Sequence, residues 1–117
     1  MKEIKFRYRI KLATEEIHTE IVNLTDIENG YLIIYIIPDC KILSRDLFTG
    51  FHDKNGKEIY EGDIVEIWNE KWIIEITKPL GINFKHIEGR ISSFFAGSLC
   101  KVIGNIYETP ELTEITD

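Results

Sequence analysis

Lys5, Arg7, Arg9 and Lys11 alternate with apolar residues near the start of the chain. On an extended backbone this spacing sets four cations along one face at intervals of about 6 to 7 Å, twice the rise per residue of a strand. Such a row can engage phosphates or an acidic partner, which makes these four residues the candidate binding site. Two plainer readings compete. The row is the solvated face of an edge strand blunted by charge, or it pairs with the acidic end of the chain. That end holds Glu108, Glu111, Glu114 and Asp117 and no Lys or Arg.

Asp53, Glu58, Glu61 and Asp63 form a second titratable group. Clustered carboxylates can bind cations or exchange protons, but turn chemistry accounts for these. Asp53 caps a turn, Glu58 pairs across it, and Glu61-Gly62-Asp63 is a polar corner that redirects a strand. His18, His52 and His86 are scattered, without an i, i+4 pair or a carboxylate at motif spacing, so nothing points to zinc. Cys40 and Cys100 are far apart and outside any Cys-x-x-Cys pattern, which reads as two reduced thiols. Cys100 and Ser98 lack a strand-turn-helix elbow and an identifiable base. No glycine-rich phosphate loop is present, and the expectation is a non-enzymatic protein with no metal and no cofactor.

The elements carrying these residues read as strands. Ile4, Phe6, Tyr8, Ile10 and Leu12 alternate with the basic residues at a period of two. Residues 16–24 form a weaker strand with Ile17, Thr19 and Ile21 on one face, followed by a loop ending in the turn signal Asn29-Gly30. Residues 31–37 (YLIIYII) have no polar face and are the expected centre of the core. Residues 40–47 are ambiguous between strand and helical turn.

Residues 48–76 read as two hairpins. In the first, a two-residue Asn55-Gly56 loop would set Lys54 against Lys57 and Asp53 against Glu58, two like-charge pairs. A three-residue Lys54-Asn55-Gly56 loop pairs Asp53 with Lys57 instead, with Asp53 opening a type I turn and Gly56 supplying the left-handed closing residue. The second hairpin is expected to turn at Asn69-Glu70, pairing Ile67 with Trp72 and Val65 with Ile74. Residues 82–87, 90–95 and 100–107 give three more short strands, and short strands at close spacing mean a barrel or a sandwich. Phe94 and Phe95 cannot both point inward on a regular strand. Thr109-Pro110-Glu111-Leu112 has the capping residue, proline and early acid of a closing helical turn.

At 117 residues one compact core is the default, and 44% hydrophobic with 29% charged residues is an ordinary globular balance. The net charge of −6 argues against simple non-specific nucleic-acid binding. The longest apolar run is far shorter than the ~20 residues of a membrane-spanning helix, and the amino terminus lacks the continuous apolar stretch of a secretory signal. The expected location is the cytoplasm, without membrane association.

FTGFHDKNGKEIYEGDIVEIW (residues 48–68), VIGNIYETPEL (residues 102–112) and the opening KEIKFRYR (residues 2–9) resemble signature stretches of the YopX family, small proteins of phages and prophages of Gram-positive bacteria. The resemblance implies an all-β protein whose second half is a small SH3-like barrel with additional N-terminal strands packed on it. That corresponds to a single domain over residues 1–117, with N-terminal strands over 1–47, the barrel over 48–112 and an acidic tail over 113–117. It implies no biochemical activity. His52 departs from the family pattern, which weighs against a catalytic role for it. The leading expectation is a phage or prophage accessory protein that binds another protein or itself. The alternative is a nucleic-acid-binding accessory factor using Lys5, Arg7, Arg9 and Lys11.

Overall fold

Phe6, Tyr8 and Ile10 alternate with charge because one side of their strand packs on an apolar core and the other carries the basic side chains. In the computed structural model this strand is β1 (Lys5–Lys11). The structure describes residues 4–30, 38–77, 81–93 and 99–114, and the chain divides into two compact units, Met1–Phe48 and Thr49–Asp117. Residues 31–37, expected at the centre of the core, lie outside the described residues, as do Phe94 and Phe95.

In the first unit β1 pairs antiparallel with β2 (Ile17–Asn23) on one side and with the start of β3 (Lys41–His52) on the other. Residues 40–47, open in the sequence, are thus mainly strand. Tyr8, Ile10 and Val22 form the buried cluster, with Phe6, Leu12, Ile27 and Cys40 packed around it. The other apolar residues of β2 face outward: Ile17 is 52% and Ile21 50% exposed. A short helix, α1 (Leu24–Glu28), replaces the loop expected there. Asn23 supplies its cap, its side-chain oxygen accepting from the Asp26 N–H at 2.8 Å.

In the second unit the end of β3 turns back into β4 (Glu58–Tyr60). Then β5 (Asp63–Ile67), β6 (Glu70–Thr77), β7 (Gly81–His86), β8 (Ile91–Ser93) and β9 (Lys101–Asn105) form an antiparallel sheet in the order β8-β7-β6-β5-β9. Its inward residues Val65, Ile67, Ile74, Phe84, Cys100 and Val102 pack with Ile59 of β4. The protein is mainly β, as the strand periodicity predicts, but its sheets are not closed. The SH3-like barrel implied by the family resemblance is not formed among the described residues: β8 and β9 remain the two ends of the five-stranded sheet. The side of β9 away from β5 receives a turn rather than a strand, since the Lys54 N–H donates to the Cys100 carbonyl at 2.9 Å.

The first hairpin has the expected loop. Asp53 N–H donates to Lys57 O, Gly56 N–H donates to Asp53 O, and Gly56 has φ +82°. The second hairpin is corrected by one position. Its loop is Trp68-Asn69, with Val65 opposite Trp72 and Ile67 opposite Glu70. Both loop residues are left-handed, φ 50° and 64°, as a type I′ turn requires. This register matches three of the four pairs by chemistry, Ile64 with Ile73, Val65 with Trp72 and Glu66 with Lys71, whereas the expected one opposed Glu66 to Ile73. Side-chain pairing along the ladder outweighs the cost of a left-handed tryptophan, about 1 to 2 kcal/mol. The two registers differ by two residues, so the inward face is the same in both.

The chain ends its described course in a 3-10 turn, Pro110–Thr113. Thr109 does not cap it. Its hydroxyl donates to Asn105 O and accepts from Asn105 N–H instead, both at 3.0 Å. Leu112 packs over Gly104, where an added Cβ would fall on Thr109 Oγ1 and 2.9 Å from Leu112 Cδ1.

Candidate functional site

The four cations of β1 do not make an exposed row. β1 lies between β2 and β3, which removes the edge-strand reading. Asp46 of β3 stands opposite Arg7 in the ladder, and Arg7 donates to its Oδ2 from Nε at 3.0 Å and from an Nη at 2.9 Å. Their side chains are 12% and 1% exposed. Arg9 is 8% exposed and faces Ser44. Lys5 Nζ lies 4.8 Å from the centre of the Phe48 ring, and Lys11 pairs with Glu15. Arg7 therefore takes its carboxylate from the neighbouring strand, and the two arginines that phosphates would need are covered.

The carboxylates of the first hairpin are engaged in holding its shape. Asp53 is buried, and its carboxylate accepts from the backbone N–H of Asn55 at 2.8 Å, Lys57 at 2.9 Å and Val102 at 2.9 Å. Burial alone would raise its pKa, but the donors Val102, Lys57 and Asn55 and the Lys57 charge outweigh it and hold the group below its ordinary value. Asp63 is fully buried and accepts from the Tyr60 N–H at 2.8 Å, while the Tyr60 hydroxyl donates to Glu58 at 2.9 Å. The turn role read for Asp53 in the sequence is present, and a third bond, to β9, is added to it.

The sequence reading overlooked one polar constellation, at the turn between β7 and β8. His86 is buried, meets the Trp72 ring edge to face at 4.9 Å and places Nε2 3.8 Å from Glu70. Arg90 lies over Trp72 at 5.6 Å and 3.4 Å from Glu70. His86, Glu70 and Arg90, with Lys71, Glu88 and Glu114, line a cleft of about 440 Å³. The Glu88 N–H donates to His86 Nδ1 at 3.1 Å. In a neutral imidazole so engaged the proton is on Nε2, toward Glu70. His86 occupies the place in its turn that Asp53 occupies in the first hairpin: its N–H donates to Arg90 O, its carbonyl accepts from Gly89 N–H, and its side chain accepts from the residue two ahead. No spacing rule for catalytic histidines finds such a residue; the turn pattern ending in Gly89 does.

Among the described residues no three His, Cys, Asp or Glu side chains form a group that could hold a metal ion. Cys40 and Cys100 are free. Cys100 is buried, and burial, with Asp53 and then Asp63 nearby, pushes its thiol up to about 11, which makes it a poor nucleophile. No described helix is long and apolar enough to cross a membrane.

The most exposed large apolar side chain of the described residues is Trp68, 75% exposed at the tip of the β5–β6 turn. The pairing of Glu66 with Lys101 brings Leu99, also exposed, to the same end of the sheet. A turn at Asn69-Glu70 would instead have kept Trp68 within the ladder. The opposite charges of Glu66 and Lys71, set against each other, give the register that puts it at the tip.

No curated protein matches the chain. The family model described as YopX protein matches residues 4–114, nearly its whole length. The match takes in the hairpin built on Asp53, the exposed turn at Trp68 and the β9 segment that receives both the Asp53 carboxylate and the Lys54 N–H. The chain belongs to the YopX family.

Proposed function

We propose that this chain is a phage- or prophage-derived accessory protein of the bacterial cytoplasm that acts by binding another protein, with Trp68 as the anchor of the contact. The exposed indole carries the reading. Tryptophan is among the residues most enriched at the energetic centres of protein interfaces. Here it sits on a left-handed backbone that costs stability, with three-quarters of its surface exposed, and strain of this kind concentrates at functional sites. The Nδ1 of His86 accepts from the Glu88 N–H, a bond that the turn between β7 and β8 accounts for without a catalytic role. The phage setting rests on the family.

Affinity capture from induced or infected cells, run in parallel with the parent and Trp68→Asn as baits, tests the reading. Asparagine tolerates the left-handed turn, so the fold is kept while the indole is removed. A protein retained by the parent and reduced about 30-fold with Trp68→Asn, the loss of a typical hot spot, is the expected result. Equal capture by both baits refutes it.

A further inference from the structure

We infer that the chain forms a two-fold symmetric dimer in which β2 of one copy pairs antiparallel with β2 of another, extending the sheet of the first unit across both. Among the described residues β2 is the end strand of its sheet. Two backbone bonds fix which of its groups face outward. Leu24 N–H donates to Ile4 O, and Leu12 N–H donates to Glu16 O, which places the even-numbered residues of β2 in the pairs bonded to β1. The N–H and C=O groups of Ile17, Thr19 and Ile21 therefore point away from β1. The strand has no proline, no lysine and no bulge, the devices that normally protect such an edge.

The register follows from symmetry. A two-fold axis perpendicular to the sheet keeps the faces of both copies aligned, so it must pass through one residue of β2 and every other pair occurs twice. An axis at Glu20 sets two carboxylates against each other and Ile17 against Asn23. An axis at His18 sets His18 on its own copy and Glu16 against Glu20. An axis at Thr19 sets Ile17 against Ile21, His18 against Glu20 and Thr19 against Thr19, and all three are favourable cross-strand pairs. In all three registers odd-numbered residues meet odd-numbered ones, so the outward backbone groups of Ile17, Thr19 and Ile21 can bond across the axis, and it is the side chains that select the alignment at Thr19. Ile17 and Ile21, each about half exposed in one copy, cover one another.

Light scattering and sedimentation of the full chain from micromolar to millimolar concentration test the dimer, with the mass expected to rise from one chain to two. Thr19→Lys places like charges at the axis and should stay monomeric throughout, with the circular dichroism of the parent, because Thr19 is exposed and makes no ladder bond to β1. His18→Glu should weaken association about tenfold by opposing two pairs of carboxylates, and His18→Glu with Glu20→Lys should restore it. Trp68→Asn should dimerise as the parent does. A parent chain that is monomeric at the highest concentration overturns the inference. So does a folded Thr19→Lys that associates as the parent, or a double variant that fails to recover the association lost with His18→Glu.

Discussion

Replacing Asp53 by alanine removes an acceptor of three backbone N–H groups, and the structure separates what each loss costs. Asn55 and Lys57 are exposed, so their freed N–H groups find water, and each loss resembles that of a helix cap, about 0.5 to 1 kcal/mol. The Val102 N–H is buried and has no such recourse; leaving it unsatisfied costs about 1 to 3 kcal/mol. The expected destabilisation is roughly 2 to 5 kcal/mol, a large part of the ~5 to 15 kcal/mol that holds a domain folded. Both tryptophans, Trp68 and Trp72, belong to the unit Thr49–Asp117, so urea denaturation followed by tryptophan emission reads that unit. Asp53→Asn should fall in the same range, because its amide nitrogen is a donor facing donors. The pKa of Asp53 in the folded chain lies below its ordinary value of 3.8. Its contribution is therefore complete above that value and lost as pH falls through the lower, folded one. Asp53→Asn should accordingly show a shallower loss of stability below pH 3.8 than the parent. A destabilisation under about 0.5 kcal/mol with unchanged exchange of the Val102 amide, or parallel acid profiles for parent and variant, would refute the reasoning.

Arg7→Ala leaves the Asp46 carboxylate buried without its guanidinium and should cost about 3 to 5 kcal/mol, whereas Lys11→Ala, at an exposed pair, should cost less than about 0.5 kcal/mol. Melts followed by circular dichroism compare the two, and equal costs would contradict the covered arrangement of Arg7. Gly104→Ala puts a methyl group on Thr109 Oγ1 and should destabilise by about 1 to 3 kcal/mol through overpacking. Hydrogen exchange should quicken at Asn105 and Leu112, whose N–H groups bond to Thr109. Cys100, with its thiol raised to about 11 by burial and then by Asp53 and Asp63, should resist thiol reagents near neutral pH until the unit unfolds. Labelling followed by mass spectrometry checks this, and modification of the folded chain at Cys100 as fast as at Cys40 would contradict it.

What the sequence could tell depended on distance along the chain. The Lys54-Asn55-Gly56 loop was legible because charge pairing and turn chemistry, both local, agree on it. The Trp68-Asn69 loop was misplaced by one residue because turn preference favoured Asn69-Glu70 while the pairs Glu66/Lys71 and Ile64/Ile73 favoured the other. Placing Arg7 and Arg9 requires knowing that β3 returns beside β1, and nothing near residue 7 announces that Asp46 stands opposite. The Asp53 bond to Val102 spans 49 residues and is invisible to any local rule. His86 was passed over as one of three scattered histidines, although Gly89 three residues later marks it as the opening residue of a turn like that of Asp53 to Gly56.

The place of β9 beside β5 also sets the order in which the second unit can be completed. β5, β6, β7 and β8 follow one another as neighbours in the sheet, and each can zip onto the last as it leaves the ribosome. The opposite side of β5 stays bare until residues 101–105 have been made. Through that interval Val65 and Ile67 lack part of their cover, and an open strand edge of this kind recruits other chains. The turn at Asp53 is by then already formed by local bonds, and its second carboxylate oxygen waits for the Val102 N–H. Nascent chains halted before residue 102 should thus be the ones that depend on chaperones, and the last strand of the sheet covers the bare side of β5.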